Sequence, residues 1–268
     1  MISVEDYVNQ PVSEPDARFS YGDDPNQFVE LFFPEGQHEP IPVVVMVHGG
    51  CWGAKYDGKP LGGICRALNK DGWAVWNLEY RRNGIGGGYP NTFLDVARGT
   101  DLLRTVANDY KLDLSNVVAV GHSAGGHLAL WLAARHRLSA TSPVYTPDPL
   151  PISAVVCLAG VVDLVEAAAT GLCGENLPLL LGGTPNAVPA HYHDASPKEL
   201  LPLGVKQTHI VGELDEMLPN VRGYVTAAQA AGDRVELNVL PNADHFELVV
   251  PTTKEWAVVQ AAVLSHLH

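Results

Sequence analysis

Short apolar runs recur along the chain, separated by stretches whose apolar positions fall three and four residues apart. The runs Phe28–Phe33, Val43–Val47, Trp73–Tyr80, Val117–Val120, Ile152–Leu158, Val205–Val211 and Val235–Leu240 have the length and residue types of strands. Val43–Val47 is apolar without interruption, the pattern of a strand covered on both faces. Helices are expected at Pro60–Asp71, at Thr92–Tyr110 with Asn91 as its cap, and in the Ala/Leu-rich run ending at Ala134. Two more are expected at Pro219–Gly232 and Thr252–His268. Strand and helix in alternation predict an α/β fold, a mostly parallel central sheet flanked by helices.

Three segments break the rhythm. Residues 1–27 are polar and punctuated by proline, and read as an arm on the surface. The stretch P-E-G-Q-H-E-P-I-P after Phe33 reads as a hairpin-like loop. Residues of about 163–201 read as a small helical insertion above the sheet, too short to build a core of their own, so the whole of 1–268 is expected to be one domain. A length of 268 residues and a hydrophobic content of 46% fit that single α/β domain and exclude disorder.

The formal net charge of −13 argues against nucleic acid and against an acidic membrane surface as partners. No apolar run approaches the roughly 18 residues that span a bilayer, and M-I-S-V-E-D-Y-V-N-Q-P has neither a basic nor an apolar leader region. Cys51, Cys65, Cys157 and Cys173 are few and scattered, without a C-x-x-C, which predicts reduced thiols in a cytoplasmic protein.

The chemistry gathers at strand ends. Val117–Val120 runs into Gly121-His122-Ser123-Ala124-Gly125 and then into a helical run, so a G-x-S-x-G serine occupies a sharp strand-to-helix turn. Such a turn puts the serine in strained backbone and leaves helix N-terminal N–H groups free for an anion. His48-Gly49-Gly50-Cys51-Trp52-Gly53 follows the buried Val43–Val47 run, where adjacent glycines let N–H groups turn toward a ligand. Glu213, Asp215 and Glu216 follow the strand at 205–211, and Asp244-His245-Phe246 follows the last strand. Ends of parallel strands are where open α/β sheets bind ligands. Two other patterns carry less. The glycines at 84–88 neither open into a helix nor precede Gly-Lys-Ser/Thr, which excludes a nucleotide cradle. His191-x-His193 with Asp194 lacks a third ligand, so no metal site is expected.

H-G-G-C-W at 48–52, E-Y-R at 79–81 with Y-P at 89–90, G-H-S-A-G-G at 121–126, G-E-L-D at 212–215 and A-D-H-F at 243–246 follow one another in the order of a known family. The chain resembles an α/β-hydrolase of the esterase/lipase superfamily, near the branch with H-G-G-x-W oxyanion loops that includes arylformamidase-like enzymes and small carboxylesterases. That resemblance implies Ser123 as nucleophile, His245 as base and, among the three neighbouring carboxylates, Asp215 as the acid. It implies an oxyanion hole from the N–H groups of Ala124, Gly50 and Cys51, and no cofactor. Where the lipase branch carries a third glycine this chain has Cys51, which keeps the backbone donor and adds a thiol at the mouth. His48 and His122 are expected to support their loops by hydrogen bonds, while His38, His127, His136, His209 and His266 have no functional context.

The implied activity is hydrolysis of a small or medium carboxylic ester. Cleavage of an N-formyl aromatic amine, or ligand binding without catalysis, are the alternatives; each takes a small-molecule partner. The mouth of the site is expected to be lined by Cys51, Trp52, Tyr89 and part of Leu177–Leu181, a pocket for short acyl groups reached through a mobile 81–90 loop.

Overall fold

The computed structural model describes residues 1–36 and 40–266. His38, the middle of the loop after Phe33 and the last two residues of the expected C-terminal helix lie outside them. The strands are β1 (Ala17–Ser20), β2 (Phe28–Phe32), β3 (Ile41–Val47), β4 (Ala74–Leu78), β5 (Leu112–His122), β6 (Ala154–Leu158), β7 (Lys206–Gly212) and β8 (Val235–Leu240). The helices are α1 (Val4–Val8), α2 (Gly62–Lys70), α3 (Asn91–Asp101), α4 (Leu103–Tyr110), α5 (Ala124–Ala134), α6 (Leu164–Thr170), α7 (Asn176–Leu181), α8 (Pro189–Ala195), α9 (Leu218–Ala230) and α10 (Trp256–Leu264).

All eight strands form one sheet in the order β1-β2-β4-β3-β5-β6-β7-β8. β1 and β2 are antiparallel at one edge, and every pairing from β4 to β8 is parallel. The parallel set therefore delivers the C-terminal ends of β3, β5, β7 and β8 to one rim of the sheet. β3, β4 and β6 are buried almost throughout, as their runs, apolar but for Asn77 in β4, require. β8 is only partly buried, as an edge strand alternating with polar residues should be.

α5 lies against the centre of this sheet and every one of its residues is buried, which explains why it is Ala/Gly/Leu-rich on all sides instead of striped. The helix expected over 92–110 is two, broken at Leu102. Near the break Thr100 Oγ1 donates back to Val96 O, and the Trp76 indole takes the carbonyl of Gly99. Both bonds compete with the helical ladder.

The 163–201 segment is helical, as expected, and holds α6, α7, α8 and a 3₁₀ turn at Pro197–Leu200. Asn220 of α9 binds it from below through Val162 N, Asp163 N and Asp163 O, and the Trp131 indole of α5 donates to Asp194 O. β1 and α1 carry no signal strong enough to read in sequence. α1 is one turn long and owes its place to a capping box between Ser3 and Asp6 and to burial of Tyr7.

Candidate active site

Ser123 stands between β5 and α5 at φ 55°, ψ −122°, a backbone region that L residues rarely occupy. Close packing enforces it. A Cβ on Gly121 would lie 2.1 Å from Gly125 O, and a Cβ on Gly125 would lie 2.1 Å from Val47 O. Strand, turn and helix can approach this closely only with glycine at both positions. Ser123 is the N-cap of α5, yet its side chain makes no cap hydrogen bond. The hydroxyl is thus left for other work at the rim.

His245, in the loop after β8, directs Nδ1 at Asp215 Oδ2, 2.8 Å away, in the loop after β7. The Asp215 side chain is fully buried, and its other oxygen accepts the N–H of Met217 at 2.9 Å. A neutral imidazole that donates its Nδ1–H to this carboxylate presents an unprotonated Nε2. The neighbouring carboxylates do not compete for this role. Glu213 accepts from Asn242 N, and Glu213 and Glu216 are both exposed. The histidine loop is also held from behind. His122 Nε2 donates to His245 O at 2.9 Å, and Glu247 accepts the N–H of Asp244 at 3.1 Å. Burial, reinforced by the charge of nearby His245, holds His122 well below the usual imidazole range, so it serves as a neutral donor.

The loop after β3 turns through three successive residues in the left-handed region, Gly50 (φ 103°), Cys51 (φ 47°) and Trp52 (φ 54°). Gly49 passes so close to the elbow that a Cβ there would be 3.0 Å from Ser123 Cβ. The N–H groups of Gly50, Cys51 and Ala124 make no hydrogen bond to any of the described residues. Unpaired donors beside a buried serine are what an oxyanion site requires.

The E-Y-R motif explains how the loop begins where it does. Glu79 accepts from His48 Nε2 (3.0 Å), Gly58 N (3.0 Å) and Arg82, and Tyr80 stacks on His48 and donates to its carbonyl. Burial pushes the Glu79 carboxyl up, but His48 and Arg82 outweigh it and hold the group below its ordinary value. Arg81 forms a forked pair with Asp95, and Arg82 reaches Asn26 and Tyr56 O. The 81–90 loop, expected to be mobile, is therefore tied at its root to the body of the protein.

Four expectations about the mouth need correction. Cys51 is no free thiol; it is bonded to Cys173 of the insertion, with Cα atoms 5.4 Å apart. Trp52 does not face substrate. It is fully buried, and its indole N–H donates to His127 Nδ1 at 3.2 Å, while His127 Nε2 donates to Ala195 O at 2.9 Å. Tyr89 stacks on His191, with ring centroids 4.1 Å apart, and donates to Asp194 Oδ2. Leu177, Leu180 and Leu181 are core residues, and Leu179 points to solvent. Trp52, Tyr89 and the buried leucines thus pack around the insertion instead of lining a pocket, while Cys51, though disulfide-bonded, does line the cavity beside Ser123.

His127, which has no functional context in the sequence, thus links the 48–53 loop to the insertion, and burial pushes its pKa down to about 4. Trp52→Phe would strand its Nδ1 in the core. We expect a loss of about 1–3 kcal/mol in urea unfolding with KM changed less than about twofold. A large rise in KM would put Trp52 back at the substrate.

The space beside Ser123 and His245 is a cavity of about 1000 Å³. Its apolar wall comes from the N-terminal arm, through Val4, Tyr7, Val8 and Val12, and from Met217 and Phe246. The Tyr7 ring stacks on Phe246 with centroids 5.2 Å apart, and Ile2 N–H donates to Glu247, the residue that also holds Asp244. The cavity carries four carboxylates, Asp57, Asp215, Glu216 and Asp244, against Lys55 and Lys59. That excess of negative charge disfavours anionic ligands. Among the described residues no group of three or more His, Cys, Asp or Glu could hold a metal ion.

The arrangement has counterparts among known proteins. Esterase LipC of Mycobacterium tuberculosis is 27% identical over 250 residues, covering 87% of this chain and 60% of that protein. A probable isoprenylcysteine alpha-carbonyl methylesterase of rice (Oryza sativa subsp. japonica) is 33% identical over 111 residues, 41% of this chain and 26% of that protein. The chain therefore spans less than two thirds of the length of either. Among solved structures, a truncated carbohydrate esterase from gut microbiota superposes with a TM-score of 0.80 at 18% identity, covering 96% of this chain and 98% of that one. Esterase B of Lactobacillus rhamnosis, carrying a tributyrin phosphonate inhibitor, gives 0.78 at 18% identity over 97% of this chain and 89% of its own. These superpositions establish the α/β-hydrolase fold. The BD-FAE family model matches residues 29–225, a span that takes in the glycine loop at 48–53 and the serine elbow, and the chain belongs to the BD-FAE family.

Proposed function

We propose that this chain is a serine esterase that hydrolyses small or medium, uncharged carboxylic esters through an acyl-enzyme. The observation that carries the reading is the 2.8 Å contact of His245 Nδ1 with buried Asp215, in one cavity with a serine held at φ 55°. The names of its relatives support it, all of them esterases. So do the ligands of its structural neighbours, a tributyrin phosphonate in esterase B and propionate in Est2 of Thermogutta terrifontis.

In this reading Ser123 Oγ attacks the ester carbonyl carbon as its proton passes to His245 Nε2. The carbonyl oxygen becomes an oxyanion held by the N–H groups of Ala124, Gly50 and Cys51, each worth about 3 kcal/mol to the transition state. Asp215 fixes the imidazole tautomer and stabilises the imidazolium. Collapse of the intermediate expels the alcohol, which takes the proton from His245. Water then repeats the sequence on the acyl-enzyme and releases the acid. These steps draw only on the chain's own residues and water.

Substrate size follows from the cavity walls. Val4, Tyr7 and Val8 close one side, and the short helices of the insertion pack on one another and are tied to α5 and α9. We expect kcat/KM on p-nitrophenyl esters to peak between acetyl and hexanoyl and to show no jump above the substrate's solubility limit. Tyr7→Ala removes one wall and should raise the ratio of octanoyl to butyryl hydrolysis about tenfold. A maximum at palmitoyl in the wild type, or an unchanged ratio in the variant, overturns this account of the pocket. An aryl formamide and an N-formyl aromatic amino acid belong in the same panel, since the machinery is shared; turnover of these with no ester hydrolysis would move the reading to an arylformamidase-type amidase.

A further inference from the structure

The bond between Cys51 and Cys173 joins a proposed oxyanion donor to the insertion, across a sequence separation of 122 residues. Cys51 sits at φ 47°, between Gly50 and Trp52, which are also left-handed. An L residue enters this region only when its surroundings hold it there. Trp52 has such a hold, through complete burial and its bond to His127. Gly50 needs none, and its carbonyl accepts Gly53 N at 2.9 Å. Cys51 is half-buried, is a central residue of the turn closed by that Gly53–Gly50 bond, has no hydrogen bond from its own N–H among the described residues, and has its side chain tethered by the disulfide.

The far end is built to present that sulfur. Cys173 is itself left-handed at φ 60°, between Gly171 (φ 81°) and Gly174 (φ 52°), in a turn closed by Gly174 N to Gly171 O at 3.0 Å. The following Asn176 accepts from Asn83 Nδ2 at 2.8 Å and lines the cavity, so this turn reaches the site directly.

We propose that Cys173 is a positioning residue for the oxyanion hole: its disulfide aims the N–H of Cys51, and reducing that bond lowers kcat while leaving ground-state binding in place. The proposal rests on the serine-esterase reading and deepens it. A dithiol reductant supplies the chemistry. Its thiolate attacks one sulfur, forms a mixed disulfide and releases the other cysteine as a thiolate; its second thiol then displaces the remaining protein sulfur. Two electrons pass to the protein, both cysteines take up a proton, and the reductant leaves as a cyclic disulfide. The exchange is confined to this pair. Cys65 and Cys157 are buried, and burial pushes the Cys157 thiol up to about 12 and that of Cys65 higher still. In a reducing compartment the hole would be loosened, and in an oxidising one set.

The test compares oxidised enzyme, enzyme reduced with dithiothreitol, and Cys173→Ser on p-nitrophenyl butyrate. Alkylation and mass spectrometry establish which cysteines are free, and circular dichroism at the assay temperature reports the fold. Reduction is expected to lower kcat about tenfold with KM within about twofold, since one donor of three is loosened and not removed. A trifluoromethyl ketone, whose hemiketal places an oxyanion in the hole, should lose affinity by the same factor. Cys173→Ser should match the reduced enzyme and ignore dithiothreitol, and reoxidation of the wild type should restore kcat. Unchanged kcat after both cysteines have become alkylatable overturns the proposal, as does reduction that raises KM alone or unfolds the chain. Labelling of Ser123 by a phosphonate in the oxidised enzyme separates the two readings: if it is retained, only the positioning role has failed, and if Ser123 does not label, the esterase reading itself falls.

Discussion

Ser123→Ala is expected to give a folded protein whose kcat on p-nitrophenyl esters is lower by about six orders of magnitude, the scale of nucleophile loss in serine hydrolases. The fold should be unaffected because alanine meets the same backbone restriction at φ 55° that serine does, and the serine side chain makes no cap hydrogen bond to lose. What remains, His245 with Asp215 and the loop donors, can still bind ester but has no oxygen to deliver to its carbonyl carbon. KM should therefore change far less than kcat. A serine-directed phosphonate should add to Ser123 in the wild type and fail to add to the variant, with equal melting temperatures. Equal labelling of both proteins would remove Ser123 from the chemistry, whatever the rates.

The parts of this site that could be read in the sequence are those whose geometry is local. The elbow is one: five residues, two of them glycines whose Cβ atoms would meet backbone at 2.1 Å, encode both the turn and its strain. The strand ends are another, because the apolar run of β3 and the short strand-like runs that finish β5, β7 and β8 fix where they stop, and parallel order brings those stops to one rim. The E-Y-R motif shows as a pattern, but its work shows only in three dimensions, where Glu79 gathers His48 and Gly58 from distant segments beside its neighbour Arg82.

What the sequence concealed is decided by packing between remote segments. Trp52 stands beside the oxyanion glycines and so looks like a substrate contact, yet its indole has a buried partner in His127, 75 residues on. Tyr89 is drawn away in the same manner by His191 and Asp194. The pairing of Cys51 with Cys173 depends on where the insertion lands, and no spacing rule gives that. The true apolar wall comes from Val4, Tyr7 and Val8, on a helix of five residues too short for periodicity to show. It is held by the stacking of Tyr7 on Phe246, which no local pattern announces.

The acid is where local reading left three candidates, and where substitution separates them most sharply. Asp215→Asn is expected to lower kcat by roughly 10⁴, equivalent to about 5.5 kcal/mol, because the effect acts through the tautomer of His245. In the proposed mechanism the wild-type carboxylate can only accept, so Nδ1 carries the proton and Nε2 is free to take one from Ser123. The Asn amide can keep the Met217 N–H bond with its oxygen, the bond that Asp215 Oδ1 makes at 2.9 Å, and then presents its NH₂ to His245. An N–H donor facing Nδ1 demands the opposite tautomer, with the proton on Nε2, and that imidazole is no base toward the serine. The imidazolium formed during attack also loses its counter-charge. Glu213→Gln leaves an exposed amide oxygen that can still accept from Asn242 N, and Glu216→Gln alters an exposed side chain, so each should stay within about threefold of wild type. Asp244→Asn is the stricter control: its Oδ1 accepts the backbone N–H of His245 at 2.9 Å, a bond that asparagine can keep, and the cost should be slight. Measured kcat for the four variants decides the assignment. A severe loss at position 213, 216 or 244 with a mild one at 215 would transfer the orienting role to another carboxylate and leave the 2.8 Å contact without a catalytic purpose.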